Sequence, residues 1–111
     1  MKIIYLDTVP LTIAHESVRR KQLIKPGDLS SSIQTLNLVE LFPGESIPPH
    51  SHPDCEELYL FLTGSGLMTV SGNSLKVTKK HLITVNPGEV HELINNKEKI
   101  LRFITVRIKV I

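Results

Sequence analysis

Apolar residues along this chain fall in short runs rather than in the three-to-four spacing of a helix face. The runs are separated by clusters of Gly, Pro, Asn and Ser. Such a pattern describes β-strands joined by turns, and many of them in succession argue for an all-β sandwich or barrel. The predicted strands cover residues 3–6, 11–14, 21–25, 34–42, 58–63, 67–71, 75–79, 82–86, 91–95 and 100–111. Pro26-Gly27, Pro43-Gly44 and Pro87-Gly88 end strands, and Gly72-Asn73 marks a tight hairpin. Residues 15–20 are ambiguous and allow a short helical turn. Pro48, Pro49 and Pro53 are expected in connections, where proline does not interrupt a sheet. No long amphipathic helix is visible.

One strand bears on assembly. Along 57–63, Tyr59 and Phe61 share one face, and Leu58, Leu60 and Leu62 share the other. A strand apolar on both faces is covered on both. A second copy of the chain is the expected cover, making a homodimer; the N-terminal segment is the other source.

Length and charge narrow the class. The 111 residues suit one domain spanning 1–111, and a hydrophobic share of 41% is that of a globular protein. Thirteen basic against 11 acidic residues leave a net charge of +2, too even for a nucleic-acid partner. The run Arg19-Arg20-Lys21 reads as a solvated patch. No apolar stretch is long enough to span a membrane. Asp7 interrupts the apolar start, so no signal peptide is read and the expected location is the cytoplasm. One cysteine excludes an internal disulfide. Five histidines against two tyrosines, three phenylalanines and no tryptophan form a surplus that asks for a role.

Three of those histidines lie in two segments. In Pro49-His50-Ser51-His52 the imidazoles are two apart, so on an extended chain both project from one face. Either Glu56 or Glu57 can return a carboxylate to them. His91 follows the Pro87-Gly88 turn and can enter from another strand. Neutral nitrogens with one hard oxygen suit Zn, Fe(II), Mn, Ni or Cu(II), not Ca or Mg. His15 and His81 are expected on the surface, and Cys55 as a small buried side chain.

The surrounding spacing resembles the cupin superfamily. Its first motif, Gly-x5-His-x-His-x(3 or 4)-Glu-x6-Gly, is matched by Gly44, His50, His52, Glu57 and Gly64. The second, Gly-x5-Pro-x-Gly-x2-His-x3-Asn, is matched by Gly88, His91 and Asn95; its leading glycine is absent and Pro87 sits one position late. The resemblance covers 44–95. It implies a single jelly-roll barrel, a double-stranded β-helix. It implies His50, His52, Glu57 and His91 as ligands of one divalent transition metal (Fe, Mn, Ni or Zn), structural glycines, and Asn95 in a turn.

If Glu57 points inward, alternation brings Tyr59 and Phe61 in as an aromatic pocket wall. Arg102 alternates with Ile100 and Ile104 and is a candidate for binding an anionic substrate group, the other reading being an exposed arginine on an edge strand. Glu57 or a metal-bound water is the candidate catalytic base. The expected function is a metal-dependent enzyme acting on a small molecule, with isomerase, lyase or dioxygenase chemistry. The alternative is a non-catalytic barrel that binds a sugar or another small ligand.

Overall fold

The computed structural model describes residues 1–110, and within them ten strands form two antiparallel sheets. In chain order these are β1 (Leu11–Ala14), β2 (Val18–Ile24), β3 (Ile33–Leu41), β4 (Ser46–His50), β5 (Cys55–Thr63), β6 (Gly66–Val70), β7 (Asn73–Val77), β8 (Leu82–Val85), β9 (His91–Ile94) and β10 (Leu101–Lys109). One sheet runs β1-β2-β3-β10-β5-β8 and the other β4-β9-β6-β7. Their inner faces share one apolar cluster, with Val39, Leu41, Phe61, Leu101 and Phe103 from the first and Ile47, Met68, Val77 and Leu93 from the second. This is the double-stranded β-helix expected from the sequence. Among the described residues no helix is long and apolar enough to cross a membrane.

Alternation decides what faces inward, and register sorts the inward residues into rows. Leu41 lies opposite Leu101. Val39, Phe103 and Phe61 form the next row, then Asn37, Thr105 and Tyr59, then Thr35, Arg107 and Glu57. The barrel interior therefore passes from fully apolar to polar along the strands of this sheet. The apolar end is a packed core. The polar end lines a cavity.

Several elements differ from the sequence reading, each for a local reason. Residues 3–6 join no sheet; a 3₁₀ turn at Leu6–Thr8 follows them. Residues 15–17 form a turn in which His15 and Glu16 take positive φ (48° and 71°), and β2 begins at Val18 instead of a helical segment. The β6–β7 hairpin turns at Ser71-Gly72, one residue earlier than expected, with both central residues at positive φ (49° and 83°) as such turns require. Strand β4 was not predicted, because Pro48 and Pro49 lie inside it. It tolerates them as an edge strand, and its register slips between Ile47 and His50, where the prolines offer no N–H. The last predicted strand ends at Lys109, and Ile111 lies outside the described residues.

Two glycine-dependent features matter for the frame. Gly44, Gly64 and Gly88 all have positive φ. At Gly64 a Cβ would also stand 2.5 Å from the Ile100 carbonyl oxygen, so only glycine lets the end of β5 approach the start of β10. On the outer face of β5, Leu60 and Leu62 are exposed in the single chain, as is Leu82 opposite Leu60 on β8.

Candidate metal centre

The two histidine-bearing segments are joined along their backbones. The Gly44 N–H donates to the Asn95 carbonyl (2.9 Å), and the Asn95 N–H donates to the Glu45 carbonyl (3.0 Å). Ile47 then lies opposite Leu93 and His50 opposite His91. Finally the Gly88 N–H donates to the His52 carbonyl (2.8 Å). The first residue of the first motif thus meets the last of the second, and His52 meets Gly88, so the two motifs run antiparallel with their histidines side by side. Asn95 is the clamp: it is fully buried, its Nδ2 donates to the carbonyls of Leu41 and Lys99 (2.8 Å each), and its Oδ1 accepts from the Lys97 N–H (3.0 Å). It holds a turn, as expected.

His50 and His52 project from the end of β4, His91 opens β9, and Glu57 reaches across from β5 on the other sheet. One donor atom from each of the four residues lies within 4.8 Å of the others. The His91 Nε2 is 3.1 Å from Glu57 Oε1, and the His52 Nε2 is 3.8 Å from the same oxygen. The Nδ1–H of His50 donates to the Pro48 carbonyl (2.8 Å), and that of His91 to the Glu89 carbonyl (3.0 Å). These bonds fix the ring orientations and leave Nε2 as the atom facing the cluster. Glu89 is itself pinned: its carboxylate accepts from the Asn86 N–H (2.9 Å) and the Ser71 hydroxyl (2.8 Å).

Electrostatics follow from this packing. Burial disfavours charge on Glu57, but hydrogen bonding from His91 and Tyr59 outweighs it and holds the carboxyl below its ordinary range. Burial likewise opposes charge on His91. Its bonds to Glu57 and the Glu89 carbonyl prevail and raise its pKa above 6.5. Burial lowers the pKa of His52. Burial and the Glu57 charge push the Tyr59 hydroxyl well up, so it stays a neutral phenol. A proton bridging His91 and Glu57 thus balances the carboxylate. A bound cation would do the same for all four groups, and three imidazoles with one carboxylate are a fitting donor set for a divalent transition metal.

Beside the cluster lies a cavity of about 80 Å³. Tyr59 lines it, as expected. Phe61 does not: it lies in the next row inward, stacked on Tyr59 at 6.4 Å between ring centres, and supports the wall from behind. Arg102 is a correction. Leu101 and Phe103 take the inward positions of β10, so Arg102 points outward, where its Nε donates to Glu40 Oε2 (2.6 Å). The arginines that do line the cavity are Arg20 and Arg107, together with Thr35, Asn37 and Thr105. The basic run at 19–21 is therefore not one solvated patch. Arg19 faces Glu45 and Phe42, Lys21 reaches the Leu6 carbonyl, and only Arg20 turns in. His15 is exposed as expected, yet it also lines the cavity, with its ring 5.2 Å from that of His50. His81 closes a turn with Thr78, and Cys55 is buried, with burial pushing its thiol pKa up.

The family model for the cupin domain matches residues 37–107, which hold every residue of both motifs. The chain belongs to the cupin family. Among curated proteins, this cupin is 27% identical over 75 residues to the tetracenomycin polyketide synthase protein TcmJ of Streptomyces glaucescens, a match covering 68% of this chain and half of that protein. Among solved structures it is similar to a predicted oxalate decarboxylase from Thermotoga maritima, with a TM-score of 0.91 and 19% identity over 98% of this chain and 100% of the other. It is also similar to the polyketide cyclase RemF of Streptomyces resistomycificus, with a TM-score of 0.83 and 24% identity over 97% and 79% of the two chains. At these identities the structural likeness establishes the fold.

Proposed function

We propose that this cupin is a metalloenzyme acting on a compact small molecule. His50, His52, Glu57 and His91 would hold one divalent transition metal, with Fe, Mn, Ni and Zn all suited to the donor set. The observation that carries the reading is the convergence of these four donors, two of them oriented by backbone carbonyls and three of them lining a cavity. When bound, the metal supplies Lewis acidity that polarises a carbonyl or hydroxyl oxygen. Isomerase, lyase or ring-closing chemistry is favoured over a dioxygenase reaction by two relatives, a polyketide synthase protein and a polyketide cyclase.

The chain's own residues would do the rest. Tyr59, a neutral phenol whose hydroxyl engages Glu57, would hold that carboxylate in place and present its ring to the substrate. Glu57 is the one carboxylate among the residues lining the cavity. Its depressed pKa makes it a weak base, which suits removal of protons already acidified by a polarised carbonyl. At about 80 Å³ the cavity admits a few heavy atoms, well below the roughly 300–1,000 Å³ of drug-sized sites. The substrate is then small, or presents only its reacting end. A homodimer joined through the outer leucines of β5 and β8 completes the proposal.

A panel of small carbonyl and hydroxy compounds, assayed with metal-loaded protein and its His91→Ala variant, tests this reading. Turnover by the loaded protein that the variant loses is the expected result. Tight binding of a panel member with no turnover would instead assign a non-catalytic binding barrel.

A further inference from the structure

The chain has four arginines, and the fold divides them into two kinds. Arg19 and Arg102 are neutralised: Arg19 lies 3.1 Å from Glu45 Oε2, and Arg102 bonds Glu40. Arg20 and Arg107 line the cavity beside the histidine–glutamate cluster, and neither pairs with a carboxylate among the described residues. Glu57 is the one carboxylate among the lining residues, and its charge is already engaged by His91 and His52. The cavity therefore holds two guanidinium charges without a matching anion.

A second observation points the same way. The Nε of Arg20 is buried and has no hydrogen-bond partner, and neither has the buried Oδ1 of Asn37, a residue only 7% exposed. Asn37 spends its Nδ2 on the Thr105 hydroxyl (3.3 Å). Exchanging the amide ends would leave its nitrogen unpartnered instead. Buried polar groups in folded proteins are satisfied with few exceptions, and each exception is costly. Both residues that carry these atoms line one cavity.

We propose that Arg20, Arg107 and Asn37 form a carboxylate-binding subsite, and that the substrate is a compact organic acid carrying a neighbouring hydroxyl. The guanidinium fork matches a planar carboxylate. A donor on Arg20 and an acceptor on Asn37 within one cavity match a carboxylate with a hydroxyl on the neighbouring carbon, whereas phosphate carries its hydroxyl and its anionic oxygens on one tetrahedral centre. The proposal rests on the metal-centre reading only for what meets the substrate's other end.

Calorimetric titration with glycolate, its neutral twin glycolamide and inorganic phosphate tests it, with metal content measured on every sample. Glycolate is expected to bind the metal-loaded protein. Arg20→Gln and Arg107→Gln should each weaken it about tenfold or more while retaining metal, and Arg102→Gln should leave it unchanged. Glycolamide and phosphate should bind more weakly than glycolate. Should Arg20→Gln fail to fold, Arg20→Lys keeps the charge, loses the Nε–H, and should still weaken glycolate several-fold. The subsite is overturned if glycolate does not bind, if the cavity variants match Arg102→Gln, or if glycolamide or phosphate equals glycolate. Metal bound with glycolate indifferent to the arginines would overturn the subsite alone. Glycolate binding that depends on the arginines in protein holding no metal would overturn the metal centre and leave the subsite standing.

Discussion

His50 stands directly opposite His91 in the β4–β9 pair, with ring centres 4.1 Å apart and each Nδ1 tied to a backbone carbonyl. The two rings come from the two motifs, so the antiparallel backbone pairing that defines the barrel also sets the centre. Neither ring can turn away without losing a hydrogen bond. The centre is therefore organised before any metal arrives, which lowers the ordering cost of binding.

Metal affinity should depend on pH with a sign set by His91. A ligand imidazole must be neutral, and the pKa of His91 lies above 6.5 in the metal-free protein. Affinity is expected to be flat above that raised value and to fall as pH drops through it, by about tenfold per pH unit for each proton displaced. His52, with its lowered pKa, should add a second proton only at more acid pH. Metal-free protein should show the opposite trend for the His91 contribution to stability. It is fully present below 6.5 and lost as pH rises through the folded-state value. Competition titrations against a chelator across this range check the first statement, and urea unfolding of metal-free protein checks the second.

Asn95→Ala should destabilise the fold more than any change to the four ligands. It removes three hydrogen bonds and leaves buried backbone groups unpaired, for a loss of about 2–4 kcal/mol. Protein that remains folded should still bind metal, because Asn95 does not face the cluster. Urea unfolding together with metal analysis of the folded fraction separates the two effects.

The residues that carry the fold and the ligands were legible in the chain for a definite reason. Gly44, His50, His52 and Glu57 fall within 14 consecutive residues and His91 and Asn95 within five, so each motif shows its spacing along the chain although the two motifs pair only across the sheet. Arg102 was misplaced because β10 is apolar on both faces: Leu101 and Phe103 alternate with Ile104 and Val106, so alternation alone cannot say which face is inner. The register of Phe103 against Phe61 decides it, and that pairing joins residues far apart in the chain. Arg20 was hidden for a different reason. It lies between Arg19 and Lys21, and a basic run looks uniform until the strand sends its middle member inward. Strand β4 was concealed by its prolines, which an edge strand accepts.

The proposed dimer makes a prediction of its own. Leu60 and Leu82 are cross-strand neighbours and expose 44% and 58% of their surfaces, with Leu62 beside them on β5. If this face joins two chains, Leu60→Arg with Leu82→Arg should convert a dimer to a monomer without unfolding it. Light scattering coupled to size exclusion reads the mass directly, and a monomeric unsubstituted protein would dismiss the interface.

Elemental analysis of the full chain, purified without a metal-affinity tag, bears most directly on the four-donor centre. One transition-metal ion per chain is expected, and the paired substitution His91→Ala with Glu57→Ala should abolish it in protein that remains folded. Folded protein that contains no transition metal and takes up none of Fe(II), Mn, Ni or Zn would contradict the reading, as would metal retained undiminished by the doubly substituted chain.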